Sequence, residues 1–161
     1  MIPVQHIHPL IVHFPIVFFL SLVAIDIIAT FRGNSVTSRT ALGHLSTGLA
    51  ILSAGAAATA FFFGGMALDV AESAGFHSDI AEMHEALGEK TAIAFCIWAA
   101  IRGALWLRNQ KLATPFAAAI PLMEIAGAVL VVATAYYGGQ LVYDLGVNVA
   151  GAAHGSVVIS Q

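Results

Sequence analysis

The sequence predicts an all-α integral membrane protein, a four-helix bundle with an acidic periplasmic loop between helices 2 and 3. Three observations carry this reading. Hydrophobic residues make up 59% of the 161 residues and charged residues only 9%, against about 25% charged in an average soluble domain. Four apolar stretches are long enough to cross a bilayer. The charges between them alternate in sign from one end of the bundle to the other. A water-soluble surface cannot be covered with so few charges, so lipid is the main solvent.

A spanning helix needs about 20 apolar residues, because about 1.5 Å of rise per residue must cover about 30 Å of hydrocarbon. The stretches that meet this lie at about 9–30, 40–64, 85–106 and 115–138, within a single transmembrane domain 1–161 whose tail 139–161 is periplasmic. The first has no basic residue before it and no cleavage site after it, so it reads as a retained helix and not as a signal peptide. Pro9 and Pro115 stand where a first helical turn tolerates proline. The second stretch is rich in small residues, Ser46, Ala50, Ala54 and Ala58 every four residues with Gly48 and Gly55 beside them, a pattern that lets helices pack closely in lipid. The third starts near Ile80 if Asp79 and Glu82 form a capping box. Gly33-Asn34-Ser35 and Asn109-Gln110-Lys111 break the chain between spans. Phe61-Phe62-Phe63, Tyr136-Tyr137 and Trp106 read as interfacial aromatics.

Arg32 and Arg39 flank the first connection, and Arg102, Arg108 and Lys111 the last, whereas the middle one carries Asp69, Glu72, Asp79, Glu82, Glu85 and Glu89 with Lys90. The positive-inside rule then places the first and last loops in the cytoplasm and both termini in the periplasm of a multi-pass bacterial cytoplasmic (inner) membrane protein. With a net charge of −3 there is no basic patch for nucleic acid. No disulfide frame and no covalent haem motif can be built from the single cysteine, Cys96.

Histidines are the informative residues. Of His6, His8, His13, His44, His77, His84 and His154, only His44 falls on the inner side of this topology. His13 lies four residues after Pro9 and His84 four after Ile80, on helices that run in the same direction, so the two imidazoles reach a similar depth. Gly88, Thr91 and Phe95 share the face of His84 and leave room beside it. Two imidazoles facing each other across a bundle suit the axial positions of a haem iron. His13 and His84 are the expected pair, with His8 the alternative first-helix ligand. A competing reading takes His6, His8, His77 and His154, with Asp79 or Glu82, as a zinc, copper or iron site. A third gives the histidines a packing role alone.

Each span also places one ionisable residue in its inner half: Asp26, His44, Arg102 and Glu124. Arg102 is five turns beyond His84 and shares its face. Glu124 is its expected counter-charge, with Asp26 sharing, in an ion pair or a proton- or quinone-handling site. Arg102 is also a candidate for a haem propionate if the haem lies deep.

His8-Pro9-Leu10-Ile11-Val12-His13-Phe14-Pro15-Ile16 at the start, His84 followed by Arg102, and Gly138-Gly139-Gln140-Leu141-Val142-Tyr143 with Gly146-Val147 and Val149 at the end resemble the signature of an uncharacterised bacterial family of four-span membrane proteins. That resemblance covers nearly the whole chain. It implies a compact membrane domain whose relatives sit beside, or are joined to, c-type cytochrome and Rieske modules, a setting of respiratory or other redox work. In the closing motif, Gly138-Gly139 is expected to end the fourth helix so that Leu141, Val142 and Tyr143 fold back over the outer cavity.

The expectation is a membrane b-type cytochrome holding haem b near the periplasmic face, with His13, His84, His8, Gly88, Thr91 and Arg102 as candidate site residues. It passes electrons from a membrane donor such as a quinol to a periplasmic cytochrome or a larger redox complex, docked by the acidic loop. A transition-metal-ion binder or transporter and a cofactor-free assembly subunit are the other two classes. No nucleophile stands near a base, and there is no phosphate loop or zinc-protease motif. An electron carrier or complex subunit therefore fits better than a stand-alone enzyme.

Overall fold

The computed structural model describes residues 6–147 and Val149. Among these the chain is helical: α1 (Ile7–Ile11), α2 (His13–Phe31), α3 (Ala41–Ser73), α4 (Asp79–Leu107) and α5 (Thr114–Tyr143). Helices α1 and α2 run on as one span, so four segments are long and apolar enough to cross a membrane. The interruption at Val12 has a covalent cause. Pro15 has no N–H to offer the carbonyl of Ile11, and its ring crowds that turn. Val12 keeps helical dihedrals and still donates its N–H to the His8 carbonyl at 3.1 Å, so the register survives the break.

At one end of the bundle the turns follow the punctuation of the sequence. Gly33 (φ 72°) and Asn109 (φ 51°) take left-handed conformations after α2 and α4. The two connections are tied together there. Thr37 Oγ1 donates to the Gln110 carbonyl at 2.6 Å, the Arg39 N–H to Asn109 Oδ1 at 2.7 Å, and the Arg39 guanidinium to the Leu107 carbonyl at 2.7 Å. At the histidine end the expectations need correction. Ser78, not Asp79, caps α4, accepting the Ile80 N–H at 3.2 Å; Asp79 and Glu82 instead place negative charge on its first turn. The acidic segment is mostly helix. α3 has 33 residues, about 50 Å at about 1.5 Å per residue, so it outruns the hydrocarbon, and only 74–78 remain to turn back, with Gly75 at φ 89°. An apolar stretch ends where lipid ends, whereas a helix continues as long as its backbone stays bonded. For the same reason Gly138 and Gly139 do not terminate the fourth span; α5 passes through them to Tyr143.

The helices meet as α2–α3, α3–α4, α4–α5 and α5–α2, which leaves α2 and α4 on a diagonal, and α1 leans on α3. Large apolar side chains such as Leu20, Ile51, Ile97 and Val129 point outward, as lipid-facing residues do. The inside is built from small and polar residues. Ser46, Ala50, Ser53, Ala54, Ala57 and Ala60 form the buried face of α3, while Ala58 is exposed. A four-residue interval drifts off a helix of about 3.6 residues per turn, which carries Ala58 out of the stripe. Midway along the bundle Phe19 and Phe95 stack at 3.9 Å between ring centroids.

Candidate cofactor site

A cavity of about 480 Å³ opens between the four spans at the histidine end, within the range of about 300–1,000 Å³ usual for small-molecule sites. Its walls are mostly apolar, and every span contributes. His8, His13 and Ile16 come from α1 and α2, Ala60 and Gly64 from α3, His84 and Gly88 from α4, and Thr134, Gly138 and Tyr143 from α5. Thr91 and Thr134 stand together lower down, their hydroxyls 2.9 Å apart, so that one can donate to the other while its partner donates to the Leu87 or Leu130 carbonyl of its own helix.

Two half-buried imidazoles meet in this cavity. The rings of His8 and His84 lie 6.0 Å apart between centroids, at 82° to each other. His8 Nδ1 donates to the Ala60 carbonyl at 2.8 Å, and His84 Nδ1 to the Thr134 carbonyl at 3.0 Å. A carbonyl only accepts, so Nδ1 carries the proton on each ring, and in the neutral imidazole Nε2 is left as a lone pair. A metal-binding histidine is commonly prepared this way, with its second nitrogen anchored to the protein. Each ring also rests on a glycine. A Cβ added to Gly64 would lie 3.0 Å from His8, and one on Gly138 would lie 2.8 Å from His84. This explains the glycines within α3 and α5: they admit a ring where any side chain would push it away.

The expected site residues are brought together unequally. His84, His13, His8, Gly88 and Thr91 all line the cavity. The ring facing His84 is that of His8, whereas His13 is exposed on the cavity wall. Arg102 does not reach this space. It is fully buried lower in the bundle, where Nη1 bridges Asp26 and Glu124 at 2.5 Å each and Nη2 donates to the Val36 carbonyl at 2.9 Å and to Ser46. His6 and His77 are exposed, and His154 lies outside the described residues. Among the described residues no three His, Cys, Asp or Glu side chains gather around one point. His44, exposed at the opposite end, accepts the Trp106 indole N–H at 3.1 Å. Leu141, Val142 and Tyr143 do line the cavity, from the last turn of α5 and not from a folded-back tail.

Sequence reasoning missed the carbonyls of Ala60 and Thr134 and the clearance at Gly64 and Gly138. It also passed over a spacing that picks out His8. Phe19 and Asp26 follow His8 at the intervals that separate Phe95 and Arg102 from His84; His13 does not keep them.

The family described as "Predicted membrane protein (DUF2231)" matches residues 5–151 of this chain, and the chain belongs to it. No curated protein and no solved structure matches.

Proposed function

We propose that the cavity binds one haem b and that the protein is a membrane cytochrome, with His8 and His84 as the axial ligands. The observation that carries this is the pair of imidazoles from separate spans, 6.0 Å between centroids, each tied through Nδ1 to a carbonyl. Metal–imidazole bonds of about 2 Å on both sides of one ion set ring centroids about 6 Å apart. The glycines against both rings and the largely apolar walls fit a flat, hydrophobic macrocycle.

Haem held by His8 and His84 would supply one-electron redox chemistry there. The chain's own part is to hold the two nitrogens through Ala60 and Thr134, to keep the walls dry, and to lead the haem edge toward water. Among the described residues no arginine or lysine lines the cavity, so haem carboxylates would find water only at its mouth. With the basic connections in the cytoplasm, that mouth faces the periplasm. Asp69 and Glu72 on α3 and Asp79, Glu82, Glu85 and Glu89 on α4 are all exposed, and Glu85 lines the cavity; this negative charge is suited to steering a basic electron-carrier protein. Electrons would then pass between a membrane donor such as a quinol and that carrier.

The test is an absorption spectrum of detergent-purified protein made with ample haem, oxidised and then reduced with dithionite. Sharp reduced α and β bands with a shifted Soret peak are expected. A featureless spectrum overturns the cytochrome reading.

A further inference from the structure

We propose that Glu124 is a proton-binding site: it is held as a neutral carboxylic acid and exchanges its proton with water at the end of the bundle that carries the basic loops. Asp26 is then the carboxylate that neutralises Arg102. This rests on the polar cluster below the Phe19–Phe95 stack and does not depend on what the outer cavity binds.

One guanidinium faces two carboxyl groups, and Arg102, Asp26 and Glu124 are all completely buried. With both carboxyls ionised the cluster would keep a net negative charge in the interior of a membrane bundle, which is strongly unfavourable. One proton makes it neutral. The charged groups around Glu124 are Asp26 from α2 and Arg102 from α4; α3 supplies Ser46, and the chain between α2 and α3 supplies the Val36 carbonyl. Among the described residues no further cation contacts these carboxyls.

Hydrogen bonding then decides which carboxyl is the acid. Both oxygens of Asp26 are satisfied: Oδ1 accepts from Ser46 at 2.6 Å and Oδ2 from Arg102 at 2.5 Å. Glu124 is lopsided. Its Oε1 accepts from Arg102 at 2.5 Å and from the Trp98 indole at 3.1 Å, while Oε2 is buried with no partner among the described residues. A bare carboxylate oxygen is far more costly to bury than the hydroxyl of an acid, so the proton belongs on Glu124 Oε2.

The route for exchange is marked by other unpartnered groups. Ser38 Oγ, Thr47 Oγ1 and Arg102 Nε are also buried without a partner among the described residues. Thr47 adjoins Ser46, which bonds Asp26 and Arg102; Ser38 lies two residues beyond Val36, whose carbonyl Arg102 holds. Buried polar groups of this kind are commonly bridged by water. Arg102 is five residues from the end of α4 at Leu107, roughly 8 Å along the axis, so the cluster lies close to that surface. His84 is 18 residues away in the other direction, about 27 Å, with the stacked phenylalanines between. The proton therefore comes and goes on the Arg102 side.

Infrared spectra of the full chain, made by cell-free synthesis in lipid nanodiscs at neutral pH with haem supplied, test this directly. The expected result is a carboxylic-acid C=O band that shifts with carbon-13 glutamate but not with carbon-13 aspartate, and that moves on transfer to D2O. It is lost in Glu124→Gln and kept in Glu85→Gln. Absence of an acid band, a band that follows the aspartate label, or one that disappears in Glu85→Gln overturns the assignment. A band untouched by prolonged D2O overturns the exchange.

Discussion

His8 and His84 stand 76 residues apart in the chain, and so do Phe19 and Phe95, and Asp26 and Arg102, the three pairs that join α1–α2 to α4 across the diagonal of the bundle. These two spans run in the same direction with the same rise, so a constant offset means a constant level. The steps of 11 and 7 residues between levels are close to three and two whole turns at about 3.6 residues per turn. All six side chains therefore point at the same axis. The histidines line the cavity, the phenylalanines stack at a lower level, and the ion pair lies beneath them.

The first prediction separates the histidines. His8→Ala and His84→Ala abolish the bis-histidine spectrum of reduced protein, whereas His13→Ala, which lines the cavity without facing His84, retains it. Reduced-minus-oxidised spectra of the three variants check this. A spectrum lost in His13→Ala and kept in His8→Ala reverses the assignment of the first-helix ligand.

Gly138→Val is expected to displace the His84 ring, because even a Cβ at this position comes within 2.8 Å of it. Disturbing the orientation of a metal ligand weakens binding by about 10- to 100-fold. Gly55→Ala, away from the cavity wall and with nothing within 4 Å of the added carbon, leaves haem retention unchanged. Titration of apoprotein with haemin measures both.

Arg102→Met strands two buried carboxyls and should destabilise the bundle by about 3–5 kcal/mol. Glu124→Gln keeps the shape of a neutral acid and is expected to cost about 1 kcal/mol or less. Thermal unfolding in detergent, followed by circular dichroism, ranks the two. Equal losses would contradict a neutral Glu124.

The Phe19–Phe95 stack depends on Gly127. A Cβ there lies 2.6 Å from the Phe19 ring, so Gly127→Ala should destabilise by about 1–3 kcal/mol through overpacking. Adding Phe19→Leu, which withdraws the ring edge, is expected to recover part of that loss. The double-mutant cycle in the same unfolding assay reads the coupling.

Electron transfer to a basic soluble cytochrome should slow steeply as salt rises from low to physiological strength, because the exposed acidic residues steer encounter over about a Debye length of 8–10 Å. Neutralising Glu82 and Glu85 together should flatten the dependence. Stopped-flow rates at several ionic strengths decide it; a salt-independent rate would rule out a docking role for these acidic residues.

Much of the architecture is written in composition and spacing. Too few charges to face water, four apolar runs, glycine and asparagine at the turns, and the partnership of Arg102 with Glu124 and Asp26 all follow from the need to satisfy backbone and charge inside lipid. Helix ends at the histidine face did not follow, because outside the hydrocarbon neither hydropathy nor the glycines at 138 and 139 stop a bonded backbone. That the ring facing His84 is that of His8 was written only in the shared 76-residue offset, whose meaning shows once the helices stand side by side. The choice of His8 over His13 turns on where the first helix begins, Ile7 and not Pro9, and on two carbonyls and two glycines contributed by α3 and α5. Residue types announce that a bundle must close over polar groups. Which side chain meets which is decided by helix register, and that is a property of packed helices, set by how closely their backbones can approach.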